Sequence, residues 1–377
     1  MRAIAAILVM VLHIAEVART LPYAKTHGAW VLPAVQYFDS GRIGVALFFI
    51  ISGFVIPSSL VYGQSSAAFW TRRFFRLYPL FWLSIPLAVV TTWWLWDKPV
   101  SAAQVIANAT MIPGPLGYRP IQGLYWTLAA ELCFYVMCWL LFLGGILRNA
   151  KVLAAMSAAF ALLFFLQLNC LTGPLRSACT IMPAHVLGWE WGFNLGHFSL
   201  MFLGALLRVG YEGKLTTSEA VALGGILAFW LVVFPLLGAT IYSPQAAADL
   251  IRRHASYPIA LTLFLILAFL WPITFRPMVW LGKVSYSLYL LHPAVLYLFI
   301  RLAANYWPTI KIDMGWWVLI LSALTVGVSA LTYRYVEEPA NRLGARLAKS
   351  FALRSVGLAS TTTSQSPHAP AGVPTVG

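Results

Sequence analysis

The sequence predicts an all-α protein, a polytopic transmembrane bundle of about ten helices with both termini on the cytoplasmic side. Three observations predict it. The 377 residues are 60% hydrophobic and only 10% charged, whereas soluble domains carry about 25% charge. Mean hydropathy is +0.80. The apolar residues also gather into runs of about 20, the length a helix needs to cross a hydrocarbon core. The 16 Trp and 16 Tyr suit the two membrane interfaces.

The runs fall near residues 3–18, 43–62, 80–96, 123–147, 152–171, 191–209, 220–241, 256–275, 282–303 and 314–336. The first has the length of a signal peptide, but it lacks a clean A-x-A site and contains His13 and Glu16, so it reads as a span. With the N-terminus inside, the inner segments hold most of the Lys and Arg, among them Arg2, Arg72, Arg73, Arg76, Arg148, Lys151, Arg208 and Lys214. That is the sign the positive-inside rule requires. Residues 1–340 form one transmembrane domain. Residues 341–377 form a cytoplasmic tail whose Ser, Thr, Pro and Ala content predicts disorder. There is no repeat of about 20–50 residues, and the loops are too short for a second domain.

The formal net charge is +14. In a soluble chain this would suggest nucleic acid, but no soluble basic domain is present to bind it. Here the cations anchor helix ends and face anionic headgroups. Cys133 and Cys138 share one run but point to different faces. Cys170 and Cys179 flank a predicted outer loop, where a disulfide is a weak expectation. No spacing suggests a metal site.

Charges at membrane depth are costly, so each is a functional candidate. Arg2 and His13 are eleven residues apart, which returns to within roughly 20° of one helix face and rises roughly 16 Å. Ser52-Gly53 make a small-residue spot in the second run, read first as close packing and second as room for a thin ligand arm. Arg72, Arg73 and Arg76 lie between the second and third runs. They are either inside anchors or a phosphate clamp, since guanidinium bonds phosphate bidentately; Arg73 and Arg76 would face one way on a helix. Glu131 stands mid-run with Tyr135 on its face. Ser285, Tyr289 and His292 form a polar stripe in the ninth run. Counting from the run ends puts His13, Glu131 and His292 within a few ångströms of one level.

Taken together, these segments resemble the acyltransferase-3 family of integral membrane O-acyltransferases. The matching elements are Arg2-x10-His13, Gly44-Val45 through Phe48-Phe49 to Ser52-Gly53-Phe54, Arg73-x2-Arg76 with Tyr78-Pro79, Trp126 to Glu131 and Phe134-Tyr135, Ser285-Tyr286-x2-Tyr289-x2-His292-Pro293, and Glu338-Pro339. The resemblance implies a ten-helix bundle in the inner (cytoplasmic) membrane. It takes an acyl group, acetyl on family grounds, from acyl-CoA as a donor substrate, with no permanently bound cofactor. The implied acceptor is a hydroxyl of a cell-surface, exported or lipid-linked carbohydrate; a small hydroxylated metabolite such as a macrolide is the alternative. Some relatives carry an extracytoplasmic hydrolase-like domain after the bundle, whereas residues 341–377 are too few to form one.

On this reading Arg2, Arg73 and Arg76 hold the CoA phosphates. His13 is the general base or, alternatively, an acyl-carrying nucleophile. Glu131 orients or charge-balances the His13 imidazole as the third group of a triad. Ser52, Tyr289 and His292 assist. Two other classes stay open: a secondary transporter, which also places ionisable groups at mid-depth, and a non-enzymatic exporter subunit.

Overall fold

The computed structural model describes residues 1–18, 39–63, 65–172, 195–241, 255–306 and 314–362. Among them every predicted apolar run is helical and no strand occurs. The helices are α1 (Arg2–Ala18), α2 (Ser40–Gly63), α3 (Ser66–Trp96), the short α4 (Ala102–Ala109), α5 (Tyr125–Leu143), α6 (Ala150–Thr172) and α7 (Leu195–Tyr211). Then α8 joins Thr217–Ala228 to Phe234–Ile241 through the π-helical turn Phe229–Val233. A second π turn, Ile266–Leu270, ends α9, which begins at Ser256. α10 is Arg276–Tyr306. α11 runs from Met314 through a third π turn, Tyr333–Glu337, to Thr362. Among the described residues seven helices are long and apolar enough to cross a membrane, and Leu195–Tyr211 and Ser256–Leu270 are shorter apolar helices.

Local chemistry sets the ends. Ser65 caps α3 by accepting a hydrogen bond from the Ala68 N–H, and Asp97, at φ 48°, stops it. Thr216 and Glu219 form a capping box that starts α8. α7 is the central helix, with every residue from Gly196 to Leu207 buried. It is covered on one side by α2 and on another by α6. By contrast α3, α6, α8 and α11 expose rows of apolar side chains, such as Leu83, Leu87 and Val90 on α3 and Leu319, Ile320 and Leu324 on α11. In a membrane protein these rows face lipid.

Small residues let α2 approach its neighbours. A Cβ on Gly53 would fall inside the van der Waals shell of the Met201 carbonyl oxygen, and one on Gly204 inside that of Ile50. Gly44 meets the Ala5 carbonyl of α1 in the same way. The packing reading of Gly53 therefore holds.

Two expectations change. The segment with Arg72, Arg73 and Arg76 is not a connector: α3 begins at Ser66 and carries all three in its first turns, continuing through Pro79 and Pro86. Proline is tolerated inside a membrane helix because neighbouring elements take up the freed backbone groups. Here α10 and α11 pack on this stretch, with the Tyr286 hydroxyl donating to the Leu77 carbonyl at 2.7 Å and Gly344 against Phe75. Likewise, the first part of the tail is not disordered, since Glu338–Thr362 is helical. Gly344 and the buried Ala348 give it a face to lay on α3. Residues from 363 onward lie outside the described residues, as do Cys179 and the side chain of Cys170.

The connections at the α1 N-terminal end carry a compact charge cluster. Glu212 pairs with Arg208 at 2.9 Å, with Lys214 at 2.6 Å and with Arg148. It ties the α5–α6 turn to the α7–α8 turn. Hydrogen bonding from Lys214, reinforced by Arg208 and the charge of Arg148, holds its carboxyl far down, at about 2.

Two predictions follow from this packing. Gly53→Ala should destabilise the folded protein by about 1–3 kcal/mol through overpacking. Gly327→Ala, where a Cβ meets nothing within 4 Å, should cost nothing; thermal unfolding in one detergent compares them. Because the Glu212 carboxyl is depressed in the folded state, its contribution is complete above the ordinary carboxylate range and fades as pH falls toward about 2. Glu212→Gln should therefore lower the melting temperature at pH 7, and the gap should close progressively below roughly pH 4.

Candidate active site

The site is a column of polar side chains inside the bundle, built from α1, α2, α3, α5 and α10. At its lower end, nearest the N-terminus of α1, is a cavity of about 60 Å³, room for a few waters or the thin end of a ligand. Arg2, Arg76, Ser52, Glu131, Ser285 and Tyr286 line it, with Thr127, Tyr289 and Phe48 at its upper end. The charges of Arg76, Arg73 and Glu131 all lie within electrostatic range of Arg2.

Glu131 is held as an acceptor. The Tyr135 hydroxyl donates to its Oε1 at 2.6 Å, and the Ser52 hydroxyl donates to the same oxygen at 3.1 Å. Two donors on one oxygen suit a carboxylate balanced by the nearby guanidinium groups. Arg73 takes a different place from Arg76. It donates to Ser59 Oγ at 2.7 Å, and its guanidinium lies over the rings of Phe69 and Tyr135, 5.3 and 5.0 Å from their centroids. It braces Tyr135, which in turn holds Glu131, and it does not line the cavity. Arg72 is exposed.

One turn above Glu131, the cavity closes. Thr127 Oγ1 donates to the Leu124 carbonyl at 2.9 Å, so its lone pairs accept the Tyr289 hydroxyl at 2.7 Å. Phe48 meets the Tyr289 ring edge-on at 5.7 Å. Beyond this closure are the two histidines. His292 Nε2 lies 3.2 Å from His13 Nδ1, and the ring centroids are 5.0 Å apart. His292 is buried and His13 half-buried.

Helix geometry explains why they meet. α1 and α10 run side by side in the same direction, with Gly282 beside Ala3 and His292 beside His13. Each histidine is ten residues beyond its partner of that lower contact. The expectation that His13 and His292 share a level is met. Glu131 is lower. The Thr127–Tyr289 bond fixes the register of α5 against α10, and Glu131 lies one turn nearer the Arg2 end, among Ser285 and Tyr286. The seven residues from Ser285 to His292 rise about 10 Å. Glu131 therefore does not orient the His13 ring; it accepts hydrogen bonds from Ser52 and Tyr135. The group against His13 is His292.

Three participants were not anticipated. Thr127 lies four residues before Glu131, on its face, and that spacing could have signalled it. Glu337, in the π turn of α11 and buried at 2% exposure, accepts from Ser287 Oγ at 2.6 Å; it stands next to Glu338 of the Glu338-Pro339 element. His197 on α7 is buried between Phe49 and Trp126, 4.9 and 5.2 Å from their centroids, with the Tyr257 hydroxyl 3.3 Å from its Nε2. A histidine inside an apolar run is itself a signal. Among the described residues no group of His, Cys, Asp and Glu could hold a metal ion.

Fold and site define a multi-pass helical membrane protein with an arginine-lined cavity and, beyond it, a pair of histidines in contact. The acyltransferase-3 family model, described as an acyltransferase domain, matches residues 1–334. The chain belongs to that family, and it is a membrane acyltransferase; this sets aside the transporter and exporter readings. It is 24% identical over 342 residues to nodulation protein 10 of Rhizobium leguminosarum bv. viciae, covering 84% of this chain and 86% of that protein. It is 26% identical over 348 residues to the putative peptidoglycan O-acetyltransferase YrhL of Bacillus subtilis, covering 82% of this chain and 52% of that one. To the acyltransferase MdmB of Streptomyces mycarofaciens it is 26% identical over 336 residues, covering 80% and 81%. The chain thus spans about half the length of YrhL but most of the other two. No solved structure matches it.

Proposed function

We propose that this chain transfers an acetyl group from acetyl-CoA to a hydroxyl of an exported or cell-surface carbohydrate. It would sit in the cytoplasmic membrane with the Arg2 end facing the cytoplasm. The observation that carries this reading is the column itself. Two cavity-lining arginines stand at one end and a histidine with an available ring nitrogen at the other. The rise of roughly 16 Å from Arg2 to His13 is within the span of a pantetheine arm.

Arg2 and Arg76 hold the donor's phosphates through charge-assisted, forked hydrogen bonds. Glu131 keeps the two guanidinium groups balanced when no phosphate is bound, and Arg73 acts behind it through Tyr135. The arm passes the Thr127–Tyr289 closure, so that bond must open during the cycle. At His13 the acceptor hydroxyl gives its proton to Nε2 as its oxygen attacks the thioester carbon. The C–O ester bond forms, the C–S bond breaks, and the proton passes from His13 to the departing thiolate, leaving CoA as the free thiol. With Nδ1 donating, Nε2 is the nitrogen of His13 left with a lone pair, and it takes up the proton in this step.

For the acceptor, the resemblance to YrhL favours a surface glycan. A small hydroxylated metabolite, such as a macrolide, is the second reading; it draws on the similarity to MdmB, which covers 80% of this chain and 81% of that protein.

Transfer from labelled acetyl-CoA in membranes tests the reading. His13→Ala, recovered at normal level, should lose about 10²–10⁴-fold in rate. Arg76→Ala should raise KM for acetyl-CoA more than Arg73→Ala does. Undiminished transfer by His13→Ala would sink the mechanism.

A further inference from the structure

A carbonyl oxygen only accepts. His292 Nδ1 faces two of them, Tyr289 O at 2.7 Å and Leu288 O at 3.2 Å, so Nδ1 carries the proton. In the neutral ring the Nε2 lone pair is then free, and it points at His13 Nδ1, 3.2 Å away. His13 Nδ1 also faces the Val9 carbonyl at 2.9 Å. Both neighbours are acceptors, so His13 Nδ1 must be the donor. The lone pair of His13 is left on Nε2, on the ring's far side.

We infer that His292 is the positioning residue of His13: a neutral imidazole, held by its own helix backbone, that accepts the His13 Nδ1–H and so presents His13 Nε2 as the base. This rests on the acyl-transfer reading above and deepens it. In serine hydrolases a carboxylate fills the equivalent place, fixing the tautomer and stabilising the imidazolium as it forms. Glu131 was expected to do so here and stands about 10 Å away along the column. A neutral acceptor suits this depth. It stabilises the positive ring formed during the reaction without leaving a permanent charge where none can be hydrated.

The alternative is that His292 only packs between α1 and α10. The two roles separate cleanly. A packing residue can be replaced by a ring of similar volume, whereas an acceptor can be replaced by another acceptor. His292→Phe keeps the volume and removes the lone pair. His292→Gln gives an amide oxygen close to the position of Nε2.

The experiment compares both variants with wild type and His13→Ala in proteoliposomes, reading kcat and KM for acetyl-CoA. If His292 positions His13, His292→Phe lowers kcat by about 10²-fold or more while KM changes less than about threefold, and His292→Gln recovers to within about tenfold of wild type. Wild-type kcat in His292→Phe would overturn the inference, as would a His292→Gln enzyme no faster than His292→Phe. Full activity in His13→Ala would instead overturn the acyl-transfer mechanism itself, so the two failures are distinguishable. A second measurement needs no variant of His292 to fold. Nitrogen-15 spectra of histidine-labelled wild-type protein, with His13 assigned from a His13→Asn sample, should show its Nδ1 protonated and its Nε2 bare at neutral pH. The opposite tautomer contradicts the inference.

Discussion

The organisation of this bundle depends on how closely α2 approaches its neighbours. Gly44 admits the backbone of α1, and Gly53 and Gly204 together admit that of α7. Inside hydrocarbon there is no hydrophobic drive between helices, so such close backbone contact supplies much of the association energy. It also sets positions. Ser52 is the residue before Gly53, and the crossing with α7 holds its hydroxyl against Glu131. Phe48 and Phe49, a turn earlier on α2, then face opposite tasks: one meets Tyr289 at the top of the cavity, the other covers His197. A wider α2–α7 crossing would displace all of these at once.

From this scaffold follows an ordered set of polar groups. Ser52 and Tyr135 donate to Glu131, Tyr289 to Thr127, and Thr127 to its own preceding turn, since an unmet polar group at this depth is costly. At the lower end the arrangement is ionic, with guanidinium groups balanced by Glu131. In the middle it is neutral, Tyr289 to Thr127 to the Leu124 carbonyl. At the top, His13 Nδ1 lies between the Val9 carbonyl at 2.9 Å and His292 Nε2 at 3.2 Å. The charge therefore lies where an anionic donor would enter, and the proton acceptor where bond exchange would occur. The Thr127–Tyr289 bond separates these two chemistries.

Much of this was legible in the sequence. Apolar runs gave the membrane helices, since length and hydropathy are one-dimensional properties. The shared level of His13 and His292 was legible as well, because both lie the same number of residues along helices entering from one end; their direct contact was not. Glu131 was misplaced in depth for a related reason. Its helix enters from the opposite end, so its level depends on where two different ends begin, and the register is set by a side-chain bond, Thr127 to Tyr289, that no periodicity reveals. Arg73 and Arg76 occupy one helix face, yet one stacks on aromatic rings and the other lines the cavity. That division depends on Phe69 and Tyr135, which are brought together only by the tertiary fold. The start of α3 was obscured by Arg72, Arg73 and Arg76, which interrupt the apolar run although the helix begins before them at Ser66.

The central claim is that the arginine-lined cavity and the histidine pair are two ends of one donor-binding path. An acetyl-CoA analogue with a photoreactive group on its acyl carbon reports on it directly. Irradiated in proteoliposomes and mapped by mass spectrometry, the label should fall on α1 or α10 near His13 and His292, and unlabelled CoA should abolish it. Label that falls instead at the opposite membrane surface, or that free CoA does not displace, would contradict a single path from Arg2 and Arg76 to His13.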